Sequence, residues 1–302
     1  MSDPKITVFT PTYNRAHTLG RLYESLRNQS SKNFEWLIID DGSGDNTGNL
    51  VKQWLKEANL FKIRYYYKDN GGKHTAINYG LDKAKGLLFF TADSDDFLTS
   101  DAMQKVEEWV KLLPENKKFC GIAGNWGYSQ TETPNTIFNS EWRDINLLER
   151  YGEFSVAPVD GERAWVFFTE IHKKYKYPEF HNEKFITEAV AWNRMANDGY
   201  KMRVFNDIIY IYKFLPGGLT LSGSKIFIEN PKGFGLWLKE KAQFLKYNRV
   251  KKIKMYYSYL CSQINRLTAG EIAANVGTNR GVILMLSLLY LMKSFLNQFR
   301  SK

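Results

Sequence analysis

Cysteine is nearly missing. Cys120 and Cys261 are the two thiols in 302 residues, which excludes a disulfide framework, and neither sits at a spacing that binds zinc. Both are expected to be buried or inert. Long apolar runs are also missing: residues 282–292 are almost all apolar, but a spanning helix needs about 20 such residues and Lys293 interrupts this one. That stretch should lie on a surface and not cross a bilayer. No charged-then-apolar leader precedes Ile6, so a cytosolic location is expected. Acids are scarce at one end only. From Lys225 onward there are 14 Lys and Arg against 3 Asp and Glu, which leaves 28 against 29 in the rest; the net charge of +10 therefore belongs to the C-terminal quarter. Nucleic acid is a poor partner for it, because no zinc-finger, helix-turn-helix or aromatic RNA-binding signature accompanies the charge.

What is present is an alternation. Ile6-Thr7-Val8-Phe9-Thr10, Glu35-Trp36-Leu37-Ile38-Ile39, residues 63–67 and Leu87-Leu88-Phe89-Phe90-Thr91-Ala92 read as strands. Helical spacing follows each of them, as in Leu19, Leu22, Tyr23 and Leu26, in Val51, Trp54 and Leu55, in Ala76, Ile77 and Leu81, and in Met103, Val106, Trp109 and Val110. Residues 119–123, 166–171 and 202–212 add strand-like runs. Such an order predicts an α/β fold whose mostly parallel sheet has helices on both faces. Ligands of such sheets bind beyond the C-terminal ends of the strands.

Those ends are polar here: Tyr13 and Arg15, Asp40 and Asp41, Asn70 and Lys73, then Asp93-Ser94-Asp95-Asp96. A solvated turn explains any one of them, and four on one edge make a site. The first loop, Thr10-Pro11-Thr12-Tyr13-Asn14-Arg15, contains no glycine, whereas a dinucleotide enzyme needs glycines there so that the pyrophosphate can approach a helix N-terminus. Phosphates must be neutralised another way. Three carboxylates within four residues repel one another unless a cation compensates them, and oxygen ligands suit Mg²⁺ or Mn²⁺. The segment with Trp126, Tyr128, Trp142 and Tyr151 has no clear period; its aromatic faces suit either sugar stacking or a core.

Taken together, residues 6–15, 36–43 (WLIIDDGS), 70–80 (NGGKHTAINYG) and 93–96 resemble glycosyltransferase family 2, the inverting nucleotide-sugar transferases of GT-A fold. The resemblance implies a GT-A domain over residues 1–224, its donor half about 1–124 and acceptor half 125–224, and a basic helical region over 225–302. It implies donor contacts at Pro11, Tyr13, Arg15, Asp41, Asn70, Lys73, Asp93, Ser94 and Asp96, with the metal, Mn²⁺ or Mg²⁺, on Asp95. The donor is then a nucleotide-sugar, with UDP expected as the nucleotide, and the acceptor is lipid-linked or a polysaccharide. Members usually carry the base in a Glu-Asp pair at the start of a late helix. Here that place reads Thr187-Glu188-Ala189, so Glu188 is the expected base, Asp160 the alternative, and a non-catalytic nucleotide-sugar-binding subunit the rival function. A histidine often found in the late loop is missing from residues 214–220. His74 and His172 lack partners at ligand spacing and read as local structure. In the C-terminal region, apolar positions 234–245 and 253–267 suggest two helices. With the basic flanks, they fit either an anionic membrane surface or packing onto the core.

Overall fold

The computed structural model describes residues 4–152, 159, 162–213 and 223–300; Asp160 and the 214–220 loop lie outside them. In chain order the first half runs β1 (Ile6–Thr12), α1 (Leu19–Arg27), β2 (Phe34–Asp40), α2 (Thr47–Trp54), β3 (Lys62–Tyr67), α3 (Lys73–Lys83), β4 (Leu88–Thr91), β5 (Phe97–Leu98), α4 (Ala102–Lys111) and β6 (Phe119–Gly127). There follow β7 (Trp142–Ile145), β8 (Arg163–Phe168), α5 (Thr169–His172), α6 (Ala189–Asn197) and β9 (Lys201–Ile211). The C-terminal helices are α7 (Gly223–Glu229), α8 (Pro231–Phe244), α9 (Arg249–Gln263), α10 (Ala269–Val276) and α11 (Arg280–Arg300).

The strands form one sheet in the order β3-β2-β1-β4-β8-β6-β9-β5, with β7 on β9. β1 pairs in parallel with both β2 and β4, and β2 with β3. The second half is mixed: β8 runs antiparallel to β4 and β6, while β6 and β9 are parallel. Uninterrupted parallel pairing is thus confined to β1 to β4, where a crossover helix links each strand to the next. α4 begins after Asp101.

Side-chain alternation splits the central strands between two layers. Ile6, Val8, Trp36, Ile38, Leu88 and Phe90 share a buried cluster with Leu19, Leu22 and Leu26 of α1, Val51 and Trp54 of α2, and Met103, Val106 and Trp109 of α4. The intervening Phe9, Leu37, Ile39 and Phe89 are equally buried, and they face the other way. On that side Phe9 stacks on Phe89 with centroids 4.8 Å apart. α3 approaches so closely there that a Cβ on Gly80 would stand 2.3 Å from the Phe9 ring. His172 closes the same layer against Phe89, Phe167 and Tyr177. Burial pushes its imidazole down to about 3, so it is a neutral ring in a core. Cys120 is buried and its thiol is pushed up to about 12 by burial. Cys261 is exposed.

The chain divides into two compact units, Met1–Pro178 with Arg194–Gly218, and Glu179–Asn193 with Leu219–Lys302. The C-terminal region therefore begins close to residue 219 and also takes in the segment that carries Glu188. It has its own core of Tyr259, Leu260, Ile272, Ala273, Val276, Ile283 and Leu286. Among the described residues no single helix is long and apolar enough to cross a membrane.

Candidate functional site

The order of the parallel strands reverses between β1 and β4, which lie side by side while their connections depart in opposite directions. Such a reversal is where open α/β sheets bind their ligands. The two loops flanking it meet: Arg15 Nη2, after β1, stands 3.7 Å from Asp95 Oδ2, after β4, and Arg21 Nη2 donates to the Asp95 carbonyl at 2.9 Å. The first loop is held by the second. Asn14, at φ +53°, accepts from Gly44 N at 2.8 Å and donates its own N–H to Ser43 Oγ at 2.8 Å, while Asp45 Oδ2 accepts from Ala16 N. Tyr13 is half exposed at the rim, and Pro11 lies within β1 and is buried.

Asp41 organises the next loop. Its carboxylate accepts from Lys68 Nζ at 2.6 Å and Gly71 N at 3.0 Å on one oxygen, and from Gly72 N at 2.7 Å and Asn70 Nδ2 at 3.2 Å on the other. Asn70 Nδ2 also donates to the Asp41 carbonyl. The approach is close: a Cβ on Gly42, at φ +87°, would lie 2.8 Å from Asn70 N, and Gly72 takes φ +94° just before α3. Lys68 also donates to Thr75 Oγ1 at 2.9 Å. Sequence reasoning missed this lysine because it sits at a strand end among aromatic and charged neighbours with no motif of its own. Its signal was the excess of donors that a buried aspartate at residue 41 demands.

The acidic turn is the most polar part of the edge. Lys73 Nζ pairs with Asp93 at 2.8 Å, and Ser94 is buried. Asp96 is buried as well, and both its oxygens are engaged, one by Tyr210 Oη at 2.8 Å and the other by Lys213 N at 2.9 Å. The same Tyr210 hydroxyl accepts from Asp93 N at 2.9 Å, so one phenol locks the turn at both ends. Burial and then the Asp93 charge push the Asp96 carboxyl up to about 7, against the pull of its two donors. Burial and Asp93 likewise raise Asp95, with Arg15 opposing. Burial, with Asp93 and Asp96, lifts Tyr210 well above its ordinary value, so its hydroxyl stays protonated and donating. Tyr210 and Lys213 were not singled out from the sequence; they arrive from β9, more than 110 residues downstream.

The turn holds more negative charge than its own partners neutralise. Among the described residues no group of three or more His, Cys, Asp or Glu is arranged as a metal cage. A single carboxylate whose ionised form is disfavoured by a neighbour does fit a hard cation that draws its remaining ligands from water and phosphate oxygens. Asp95 meets that description, and Asp96, with both oxygens engaged, does not.

Glu188 belongs to the second unit. It immediately precedes α6, its carbonyl accepting from Trp192 N at 3.4 Å, and it is partly exposed. Ala189 beside it is buried at 8% exposure.

The profile of glycosyl transferase family 2 matches residues 7–176. The chain belongs to that family. It is 28% identical over 228 residues to a GalNAc(5)-diNAcBac-PP-undecaprenol beta-1,3-glucosyltransferase of Campylobacter jejuni, covering 74% of this chain and 69% of that one. An uncharacterized glycosyltransferase of Rickettsia felis is 39% identical over 116 residues, or 38% of this chain, and the match spans only 18% of that longer protein. Among solved structures, S. aureus TarS in complex with UDP-GlcNAc has a TM-score of 0.59 at 16% identity, covering 96% of this chain and 92% of that one. The Pyrobaculum calidifontis mannosyltransferase with GDP-Man and Mn²⁺ has a TM-score of 0.57 at 16% identity, covering 96% and 81%. The fold is thus that of GT-A transferases, with helices added at the C-terminus.

Proposed function

We propose that this family 2 member is a metal-dependent inverting glycosyltransferase. In this reading it moves a sugar from a nucleotide-sugar, UDP-linked by preference, to a hydroxyl of a lipid-linked or polysaccharide acceptor in the synthesis of a cell-surface polysaccharide. Its basic C-terminal region keeps it at an anionic membrane surface on the cytoplasmic side. The observation that carries the reading is the meeting of Arg15, Lys73 and Asp93 to Asp96 at the strand reversal, where cationic side chains and one cation-ready carboxylate line the same edge.

In this reading the Asp41 loop, with Pro11, Tyr13 and Asn70, forms the nucleoside side of the site, and Arg15 and Lys73 face the phosphates with Asp93, Ser94 and Asp96. Asp95 would hold the divalent ion, which when bound supplies charge neutralisation at the departing diphosphate. Glu188 takes the proton of the acceptor hydroxyl as that oxygen attacks the anomeric carbon. A donor panel with and without Mn²⁺ or Mg²⁺ tests the whole: metal-dependent release of one nucleoside diphosphate supports it, and no binding or turnover of any donor removes it. A second reading, a nucleotide-sugar-binding subunit without catalysis, is favoured by the buried Ala189 in place of the usual acid. It predicts donor binding without transfer.

Lys68 should act through Asp41. Removing a charged donor from a carboxylate costs about 1.5–3 kcal/mol, so Lys68→Met is expected to raise the donor KM about tenfold or more while kcat changes little, with Lys68→Arg recovering part of the loss. Steady-state kinetics over donor concentration read this directly. An unchanged KM would reduce Lys68 to a surface ion pair.

A further inference from the structure

The last helix has two unlike sides. Ile283 and Leu286 of α11 are buried in the core of the second unit, yet Leu284, Met285, Leu288, Leu289, Leu291, Met292, Phe295 and Leu296 are each 47–63% exposed. At about 100° per residue these eight side chains fall within an arc of about 160° pointing away from that core. Exposed Arg280 and Lys293 project at the two edges of the arc. Isolated exposed leucines are ordinary, but a contiguous ridge of eight is not.

Basic charge is concentrated in the same unit. α9, which packs on α11 and sets Tyr257 within electrostatic reach of Tyr290, opens with Arg249, Val250, Lys251, Lys252, Ile253 and Lys254, all exposed. Asn248 caps this helix through the Lys251 amide, so the basic turns are formed helix and not a loose tail. Few acids lie in the same stretch to answer them: from Lys225 onward there are 3 Asp and Glu against 14 Lys and Arg.

We infer that α11 lies in the plane of an anionic lipid surface, its Leu284-to-Leu296 ridge in the headgroup–acyl boundary and the flanking Arg280 and Lys293 toward the lipid phosphates. This deepens the membrane clause of the reading above by naming the face that binds, and it does not depend on catalysis. The choice of a bilayer over a protein groove rests on the charge. A broad ridge edged by cations, on a helix too short in apolar length to cross, is the pattern of an interfacial helix. A self-associating face with the same cationic surroundings would instead bring like charges together.

The test is flotation or co-sedimentation of the full chain with vesicles of phosphatidylcholine alone and of phosphatidylcholine with 30 mol % phosphatidylglycerol, about the anionic fraction at which surface potential matters. Binding should require the anionic lipid and weaken with salt. It should fall at least about tenfold in Leu288→Glu/Leu291→Glu and in Arg280→Glu/Lys293→Glu, with circular dichroism unchanged because all four side chains are exposed. Nucleotide affinity of the same variants should not change, which separates this inference from the catalytic reading. Equal binding to neutral vesicles, or wild-type binding by the ridge variant, overturns it. So does a stable dimer that does not bind vesicles and that Leu288→Glu splits, since the ridge would then be covered by a second copy.

Discussion

Asp95→Asn is expected to lower donor turnover by on the order of 10²–10³-fold, the usual cost of losing one electrostatic contact to a developing charge, and at the same time to leave the protein slightly more stable. The two signs come from one cause. Asp95 is disfavoured as an anion by burial and by Asp93, so without a cation its charge is a liability, and an isosteric amide removes it. Arg21 still reaches the Asp95 carbonyl, because that bond is to the backbone. The turn itself is held by Tyr210 and by Lys213 N through Asp96, so the variant should fold as before. Thermal unfolding without added metal, and turnover as a function of Mn²⁺, are the two measurements. A loss of stability parallel to the loss of activity would make Asp95 a structural residue. Undiminished turnover would place the metal elsewhere or dispense with it.

How much of this was legible beforehand differs by element. Of the four parallel strands, β1, β2 and β4 announced themselves because both of their faces are buried, which writes a continuous apolar run such as Trp36-Leu37-Ile38-Ile39; β3, at the sheet edge, is only partly covered. β5 and β7, of two and four residues, are too short to leave a period, and β7 is recruited by pairing with β9. The antiparallel insertion of β8 between β4 and β6 follows from long-range pairing that no local pattern encodes. α10 did leave a signal: Thr268 and Glu271 form a reciprocal capping box and Gly277 takes the left-handed conformation just past its end, which is the ordinary grammar of a short helix. In the site, the charged residues were visible and their division of work was not. Asp41 spends its carboxylate on four internal donors and Asp96 on two, whereas the carboxylate of Asp95 makes a loose pairing with Arg15 at 3.7 Å and feels the charges of Asp93 and Lys73. Three aspartates that look alike as letters differ because Lys68, Gly72, Tyr210 and Lys213 come to two of them from elsewhere in the chain.

Glu188→Gln should reduce transfer by on the order of 10²–10⁴-fold, the contribution of a positioned general base, while nucleotide-sugar affinity measured by calorimetry stays within about twofold, a change worth less than ~0.5 kcal/mol. The argument turns on the pair of residues before and at the start of α6. Ala189 is buried at 8% exposure, so an acid placed there would have to lose its hydration next to the like charge of Glu188, and the chain has put a methyl in that position. Glu188 remains partly exposed and immediately precedes the helix. Its longer side chain supplies reach that an aspartate one residue later would not need. The outcomes separate cleanly: if Glu188→Gln transfers like the wild type, the base lies elsewhere, and Asp160→Asn is the variant that then has to fail. If the wild type itself binds donor and transfers nothing, the buried alanine is the mark of a binding subunit, and Glu188 serves only to start its helix.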